Sequence, residues 1–509
     1  MKKFILASVC LIILIRVNHS QTIYDSRFGA SVTQWADASE GWDNFVFLGV
    51  HYIRMPIDVL KGAMVDNFFL QQYDTLVARA QQHGLIVYAI INPRKNTGQF
   101  ASTAEVAAAV NAIVDRYDGD GTGDMPGLQY PIKNWELCNE VTYDAFANNP
   151  GSPGYPLWSG FTKAEYLSYM DTARSIITNT CSDCNLFNGA QLLPPSEMFP
   201  SVCDLTAPEP DGNGPDIIDK ISYHDYTQYF EINQASTDFT DCGIGTKPIW
   251  IVEAGMQNEY IQDSSLTQEE NAKRTVKSFA YVFIKGVEKL IFTTMRAGLS
   301  DQESIQWESL LDPATGAKKK VFWAYKKMIE KIDYFADADT IYPHNDSSIF
   351  AIKFTVDGKP VYMLWANTDQ TVNISLSSTD VPGVTVTNSV PDDTLGNFSW
   401  QHFNATNGVA TLNISPEAVY VEEDVLVNVN EISNSEYIKI YPNPAEDIIF
   451  LEILQKAEVE ILNIQGKVMK TYAVDKNKTV VDVSAFPYGV YFMKIKTDSG
   501  FFVEKLIKQ

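Results

Sequence analysis

The stretch Lys133-Asn134-Trp135-Glu136-Leu137-Cys138-Asn139-Glu140 predicts a buried strand that ends on two polar residues. A strand of a parallel sheet is covered on both faces, so it is expected to be apolar along its length. In a barrel of parallel strands, the side chains at the carboxyl ends of the strands line a common pocket. We therefore expect Glu140 at the mouth of such a barrel.

A second segment, Pro248-Ile249-Trp250-Ile251-Val252-Glu253-Ala254-Gly255, has the same pattern. Its β-rich run ends on a carboxylate, and glycine follows where the chain has to turn out of the strand. If both runs are strands of one barrel, Glu140 and Glu253 face each other across its mouth. Two carboxylates held roughly 5 Å apart in a cleft are typical of a retaining glycoside hydrolase.

Strand and helix patterns alternate from residue 28 to about residue 332, which predicts a (β/α)₈ barrel within residues 21–335. The predicted strands are 28–31, 51–57, 85–91, 132–139, 186–191, 220–226, 249–253 and 289–295. The clearest helical periods are 65–83, 104–117, 163–180, 268–284 and 319–332. A doubly wound sheet is the competing arrangement. The first strand is not followed by a Gly-rich phosphate loop, which counts against a dinucleotide fold.

The chain has 509 residues and a formal net charge of −24. That length predicts two or three domains. The charge argues against a nucleic acid or an anionic membrane as partner, because both would be repelled. We expect a soluble extracellular protein, and a monomer.

The amino terminus has the pattern of a secretory signal peptide over residues 1–20. Two lysines precede an apolar run, 4–15, that is too short to span a bilayer. Its removal takes Cys10 and leaves an odd number of cysteines, so at least one thiol stays unpaired in an oxidising compartment. We expect Cys138 to be that buried thiol.

The other four cysteines, Cys181, Cys184, Cys203 and Cys242, can form up to two disulfides, and the sequence does not assign the pairing. A zinc site at Cys181-x-x-Cys184 is the alternative, but no histidine pair stands nearby.

The pattern becomes all-β after the predicted barrel. Short alternating strands separated by Gly, Asn, Asp and Pro turns predict a sandwich over residues 336–426. Trp365 lies in the middle of one of these strands and is expected in the core. A polar segment, 427–436, predicts a linker, and residues 437–509 form another small β domain.

This last domain carries specific motifs. It begins with Ile440-Tyr441-Pro442-Asn443-Pro444-Ala445, continues with Ile461-Leu462-Asn463-Ile464-Gln465-Gly466-Lys467 and Tyr488-Gly489-Val490-Tyr491-Phe492, and ends with Val503-Glu504-Lys505-Leu506-Ile507-Lys508. Their order resembles the C-terminal sorting domain of the type IX secretion system of Bacteroidetes. The resemblance implies the secretion machinery as a partner and a secreted or surface-attached product. A carbohydrate-binding module would be the alternative, but it would not need the Tyr-Pro-Asn-Pro start.

Polar groups end other predicted barrel strands as well: Arg54 on the second, and His224 and Tyr226 on the sixth. Together with Asn139-Glu140 and Glu253, they resemble the glycoside hydrolases of clan A over residues 28–332. The resemblance implies that Glu140 is the acid/base and Glu253 the nucleophile.

The same resemblance implies roles for the neighbouring residues. Asn139 would hold the sugar 2-hydroxyl, while Arg54, His224 and Tyr226 would orient and ionise Glu253. A guanidinium and a phenol within hydrogen-bonding reach favour the ionised form of a carboxylate.

Two strand ends depart from the clan pattern. Many members end the eighth strand on a tryptophan that floors the sugar subsite, whereas this chain has Phe292-Thr293-Thr294-Met295-Arg296 there. Trp307, on the following loop, can substitute. The third strand ends on Asn92 instead of the histidine of some families. Trp35, after the first strand, is a candidate stacking surface for a sugar face or a core residue.

Two further acidic features precede the fourth strand's end. Asp118-Gly119-Asp120-Gly121-Thr122-Gly123-Asp124 resembles a calcium loop, with Asp118, Asp120 and Asp124 as ligands, although position 129 is Gln129 where an EF-hand has glutamate. A solvated acidic turn is the alternative. Glu136 is expected to be structural, inside the barrel, paired with Arg54 or Lys220.

The residues thus predict a secreted retaining β-glycoside hydrolase that acts on a poly- or oligosaccharide, with no cofactor required for catalysis and a possible structural Ca²⁺. A catalytically silent glycan-binding protein on the same scaffold is one alternative. A transglycosylase is the other.

Overall fold

The computed structural model describes most of the chain in two compact units, Met1–Asp424 and Val425–Gln509. The described residues are 23–32, 41–61, 64–93, 95, 100–140, 163–190, 217–226, 231–241, 245–255, 267–299, 306–307, 309–341, 349–424, 438–453, 456–463, 467–474, 477–497 and 500–509. The predicted signal peptide and linker, Trp35, Cys203 and Cys242 lie outside them.

In the described part of the first unit, eight parallel strands form one sheet, as predicted. They are β1 (Phe28–Ser31), β2 (Tyr52–Pro56), β3 (Ile86–Ile91), β4 (Asn134–Leu137), β5 (Asn185–Phe187), β6 (Ile221–Asp225), β7 (Ile249–Ala254) and β8 (Val287–Phe292). Their order in the sheet is β5-β4-β3-β2-β1-β8-β7-β6. A parallel bridge between Phe187 and Lys220 joins the two edge strands, so the sheet closes into a barrel. The barrel prediction is confirmed.

Helices lie between the strands. They are α1 (Trp42–Leu48), α2 (Asn67–Gln82), α3 (Thr103–Tyr117), α4 (Lys163–Thr180), α5 (Glu231–Asp241), α6 (Gln268–Phe283) and α7 (Lys320–Ile332). Five of them coincide with the predicted helical periods to within two residues. A short hairpin, Leu60–Lys61 with Met64–Val65, follows β2 and was not predicted.

An aromatic cluster fills the inside of the barrel. Tyr52, Tyr88, Phe187 and Trp250 are each buried in it. The ring centroid of Phe187 lies 5.0 Å from the ring centroid of Tyr88 and 5.0 Å from that of Trp250. Gly29 on β1 makes room for this layer, because an added Cβ would lie 2.7 Å from the carbonyl oxygen of Tyr52. The barrel is therefore packed, and its mouth has a solid floor.

The rest of the first unit is an antiparallel β-sandwich. Its strands are β9 (Ala338–Thr340), β10 (Ile349–Val356), β11 (Lys359–Ala366), β12 (Gln370–Ser375), β13 (Gly383–Asn388), β14 (Trp400–Thr406), β15 (Val409–Ile414) and β16 (Val419–Glu423). Ile352 and Trp365 join the barrel core, whereas Ala351 and Leu364 join a separate sandwich core. Because neighbouring side chains alternate between faces, one sheet serves both cores. Trp365 is buried and stacks on Phe350, as expected.

The described residues of the second unit form seven strands in two antiparallel sheets. They are β17 (Ile438–Tyr441), β18 (Ile448–Ile453), β19 (Ala457–Leu462), β20 (Val468–Val474), β21 (Asn477–Asp482), β22 (Gly489–Thr497) and β23 (Gly500–Lys508). The sheet orders are β17-β18-β21 and β20-β19-β22-β23. Alternate residues such as Ile449, Leu451, Met493 and Ile495 form its own core.

The described cysteines comprise one free thiol and one disulfide. Cys138 is free and buried, as predicted. Cys181 and Cys184 form a disulfide, which leaves neither thiol for the alternative zinc site. Among the described residues, no helix is both long and apolar enough to cross a membrane.

Candidate active site

The chain leaves β4 through two backbone conformations that L-residues rarely adopt. Cys138 has φ 70° and Glu140 has φ 50°. Regular alternation would place Cys138 on the same side as Glu136, yet Cys138 packs in the outer core with Trp135. The left-handed turn therefore breaks the strand periodicity. The side chain of Glu140 is placed by this turn and not by the alternation that would put residues 136 and 140 on the same face. Such conformations concentrate at functional sites.

A β-bulge positions Glu253. In the pairing of β6 with β7, Tyr223 lies opposite Ile251 and His224 lies opposite Glu253, so Val252 is an extra residue. Val252 belongs to the cluster inside the barrel, and alternation would then turn Glu253 outward. The inserted residue reverses the alternation, which brings Glu253 to the mouth.

Arg54 donates hydrogen bonds to three other residues of the site. The buried guanidinium donates to both carboxylate oxygens of Glu136, at 3.1 and 3.0 Å, and to Oδ1 of Asn139 at 2.6 Å. It also donates to Oε1 of Glu253. Burial alone would lower the pKa of Arg54, but the charges of Glu136 and Glu253 raise it above its ordinary value. The structure thus confirms the expected pairing of Glu136 with Arg54, whereas Lys220 pairs with Glu288.

Glu136 also holds the segment that follows β5. Its Oε1 accepts a hydrogen bond from the backbone N–H of Ala190 at 3.0 Å. The carbonyl of Ala190 in turn accepts from the backbone N–H of Glu140 at 3.1 Å. The buried Arg54–Glu136 pair therefore supports both the side chains and the backbone at the mouth. Sequence reasoning missed Ala190, because a backbone contact leaves no side-chain signal.

His224 lies between the two glutamates of the mouth. Its ring is fully buried, with Nδ1 3.0 Å from Oε1 of Glu140 and Nε2 3.7 Å from Oε1 of Glu253. Carboxylate oxygens of Glu140 and Glu253 lie within 4.8 Å of each other. The structure therefore brings these three predicted residues together, and the hydrogen bond of His224 goes to Glu140 instead of Glu253.

Glu253 is held as an anion. Burial raises the pKa of Glu253, but the charges of His224 and Arg54, together with a hydrogen bond donated by Tyr226, lower it below its ordinary value. A carboxylate that stays ionised in a closed site can act as a nucleophile. A divalent ion at Glu140, His224 and Glu253 is disfavoured, because the guanidinium of Arg54 already places a positive charge there.

Asn92 and Asp58 form a separate pair at the same end of the barrel. Asn92 follows β3, and its backbone and side-chain amides both donate to the carboxylate of Asp58, four residues beyond Arg54. Oδ1 of Asp58 is shielded from water and has no hydrogen-bond donor among the described residues. Burial raises the pKa of Asp58 to about 6. Sequence reasoning missed Asp58, although it also follows a barrel strand.

Asp58→Asn is expected to stabilise the fold at neutral pH by about 2 kcal/mol, because a charge that burial penalises is removed. The folded state binds this proton more tightly than the unfolded state, so the wild-type chain loses stability as pH rises from about 4 to about 6. Thermal unfolding should show a gain in Tm at pH 7.5 that shrinks towards pH 4. The exposed control Asp369→Asn should show none. An equal gain at both pH values would contradict the burial argument.

The remaining predicted site residues that the structure describes lie outside the cluster formed by Glu140, His224 and Glu253. Trp307 is half-buried in the connection between β8 and α7, where its carbonyl accepts a hydrogen bond from Nζ of Lys319 at 3.1 Å. Asp118, Asp120 and Asp124 lie between α3 and β4, at the amino ends of the barrel strands and away from the mouth.

Comparison with known proteins agrees with both parts of the fold. Residues 439–509 match the model of the secretion system C-terminal sorting domain. None of the curated proteins matches the sequence.

Several glycoside hydrolases are among the similar solved structures. A family 39 glycoside hydrolase from Bacteroides cellulosilyticus aligns with TM-score 0.56 and 15% identity, over 78% of this chain and 81% of that chain. A GH30 endoxylanase from Clostridium papyrosolvens aligns with TM-score 0.54 and 15% identity, over 78% and 96%. A glucosidase from Croceicoccus marinus aligns with TM-score 0.53 and 14% identity, over 79% and 96%.

At these identities the likeness describes the fold. The first unit shares its barrel-and-sandwich fold with these glycoside hydrolases. Residues 439–509 are a type IX secretion C-terminal sorting domain, which marks this chain as an exported protein that is secreted or attached to the cell surface.

Proposed function

We propose that the barrel hydrolyses β-glycosidic bonds of a poly- or oligosaccharide with retention of configuration. The observation that carries this proposal is the pair Glu140 and Glu253, whose carboxylate oxygens lie within 4.8 Å of each other at the barrel mouth. Retaining glycosidases need carboxyl groups about 5 Å apart, whereas inverting ones leave room for a water at about 6.5 Å or more.

In the first step, Glu253 attacks the anomeric carbon while Glu140 gives its proton to the leaving glycosidic oxygen. The C–O bond to the leaving sugar breaks, and an ester bond forms between the substrate and Glu253. This division of roles follows from the surroundings of the two residues. Glu253 accepts hydrogen bonds from Arg54 and Tyr226, which favour its anion, whereas the hydrogen-bond partner of Glu140 is His224.

In the second step, Glu140 takes a proton from a water molecule, and the resulting hydroxide attacks the anomeric carbon from the face that the leaving sugar vacated. The ester bond to Glu253 breaks, and the two inversions give net retention. His224 keeps the carboxylate of Glu140 in place through both steps, because the surrounding residues bury its ring completely and fix its orientation. The ring nitrogen can donate to the ionised carboxylate or accept from the protonated one.

Asn139 is proposed to bind a sugar hydroxyl. Its Oδ1 accepts from Arg54, so the amide group is oriented with its nitrogen on the opposite side. A hydrogen bond to the sugar 2-hydroxyl that strengthens in the transition state would contribute to catalysis. Export of the chain also agrees with a glycan too large to enter a cell. The similar structures include an endoxylanase and a glucosidase, which differ in substrate, so we propose the substrate class only.

The purified full chain should be incubated with a panel of plant and microbial glycans, and the products followed by proton NMR. Retaining hydrolysis predicts that the β-anomer appears first and then mutarotates. Initial release of the α-anomer would contradict the two-step mechanism. Binding without turnover across the panel would instead favour the silent glycan-binding protein, and transfer to added sugars in place of water would favour the transglycosylase.

Tyr226→Phe is expected to raise the pKa of Glu253, because the anion loses one hydrogen bond. The acid limb of the kcat/KM profile should move to higher pH by about one unit, and kcat/KM should fall roughly 10- to 100-fold. A pH–rate profile on the best glycan measures both. Tyr281→Phe is the matched control, since it removes a buried phenol bonded to Asn233 in the helix layer. If the acid limb of Tyr226→Phe stayed at the pH of the parent, Tyr226 would not be responsible for lowering the pKa of Glu253.

A further inference from the structure

The segment 118–124 links α3 to β4 at the end of the barrel opposite to the mouth. Its glycines alternate with side chains that carry oxygen, in the order Asp118, Asp120, Thr122 and Asp124. Gly119, Gly121 and Gly123 all have positive φ, between 76° and 90°. The alternation curls the backbone tightly, which other residues would oppose.

The three carboxylates of this loop converge. Asp118, Asp120 and Asp124 each offer an oxygen within 4.8 Å of the others. Backbone amides wrap the loop around them: Gly119 and Gly121 donate to the carboxylate of Asp124, at 3.0 and 2.8 Å. Convergence of like charges is unfavourable unless a cation compensates it.

A buried oxygen in the loop has no partner. Asp118 is 4% exposed, and its Oδ2 is shielded from water without a hydrogen-bond donor among the described residues. The nearby Lys133 ammonium contacts the carbonyl of Asp118 and pairs with Asp183, so its contacts do not include this oxygen.

The helix before the loop adds to the negative potential. Asp118 is the C-cap of α3, where the last carbonyl groups carry a partial negative charge. A carboxylate at a helix C-terminus is disfavoured for this reason, and a cation is favoured. Lys133 contacts the carbonyl at this helix end, whereas the buried oxygen of Asp118 and the converging carboxylates have no cation of their own among the described contacts of Lys133.

We propose that this loop binds one Ca²⁺ ion through Asp118, Asp120 and Asp124. The donors are all oxygens, which suit a hard cation, and Ca²⁺ tolerates the irregular geometry of a flexible loop better than Mg²⁺ does. The ion joins the end of α3 to the connection that enters β4, the strand that carries Glu136 and leads to Glu140. It is a structural ion, since the loop and the mouth lie at opposite ends of the barrel.

Calorimetric titration of the full chain with CaCl₂, after treatment with a chelator, tests the proposal. We expect one ion per chain and a rise in Tm of roughly 3 to 6 °C at saturating Ca²⁺. MgCl₂ at the same concentration should raise Tm less. The double variant Asp120→Asn/Asp124→Asn should fold, as checked by circular dichroism, but should lose the Ca²⁺-dependent rise. Asp380→Asn, an exposed site in the sandwich, should keep it.

Two outcomes would overturn the proposal. One is the absence of binding heat together with a Tm that Ca²⁺ does not change. The other is a double variant that binds Ca²⁺ as tightly as the parent, which would place the ion elsewhere. Neither readout depends on glycan hydrolysis, so the calcium proposal and the proposed enzymatic function can fail independently.

Discussion

Glu253→Gln is expected to lower kcat on the best glycan by at least about 10⁴-fold, equivalent to about 5.5 kcal/mol of lost transition-state stabilisation. The amide is nearly isosteric with the carboxylate but does not attack the anomeric carbon, so the glycosyl–enzyme ester does not form. Initial rates at saturating substrate measure the loss. KM should change much less, because the neighbours Arg54 and Tyr226 stay in place.

Restoring a nucleophile to this position provides the sharper test. In Glu253→Ala, azide in the cleared space should attack from the face that Glu253 occupied and give a glycosyl azide of inverted configuration. Glu458→Gln, on an exposed strand position of the second unit, is the control for loss of one carboxylate and should hydrolyse as the parent does. A Glu253→Gln variant as fast as the parent would rule out Glu253 as the nucleophile.

Glu140→Gln has the second largest expected effect, and its size should depend on the leaving group. On natural glycans, whose sugar leaving groups need a proton, kcat should fall roughly 10²- to 10⁴-fold. On aryl glycosides with acidic phenols the first step needs little proton transfer, so it should stay fast. The second step loses its base, and the glycosyl–enzyme should accumulate after a burst of phenol, which stopped-flow absorbance can follow.

The product of rescue distinguishes the two glutamates. Azide added to Glu140→Gln should intercept the glycosyl–enzyme on the face that the leaving group vacated, and give a glycosyl azide of retained configuration. If azide gave the inverted product here and the retained one in Glu253→Ala, the two roles would have to be exchanged. Equal losses on sugar and aryl leaving groups would argue against Glu140 as the proton donor.

Much of the barrel was predictable because parallel strands are buried on both faces. Apolar runs such as those around Ile86–Ile91 and Ile249–Ala254 stand out from the amphipathic helices that separate them. The confirmed pairing of Glu136 with Arg54 followed from the same reasoning, since a charge inside a barrel requires a partner. The strand ends were less certain: the predicted strand 186–191 ends at Phe187, where the connection to the mouth begins.

The arrangement of the site was not predictable in the same way. Alternation along β7 points Glu253 away from the mouth, and only the bulge at Val252 reverses it. The placement of His224 against Glu140, and the pairing of Asp58 with Asn92, depend on neighbouring strands that are remote in sequence. Contacts of this kind depend on register and on local backbone turns, which leave weak signals in residue order.

Residue order alone thus specified a barrel with acidic strand ends, followed along the chain by a sandwich and then by a sorting domain. Burial patterns and short motifs are local properties of the chain, which is why they could be recognised. The tertiary structure alone decided that Glu140 and Glu253 converge on one buried histidine. Two local irregularities made the difference: the left-handed turn after β4 and the extra residue in β7. Both depart from strand periodicity, and packing of the surrounding barrel holds them in place.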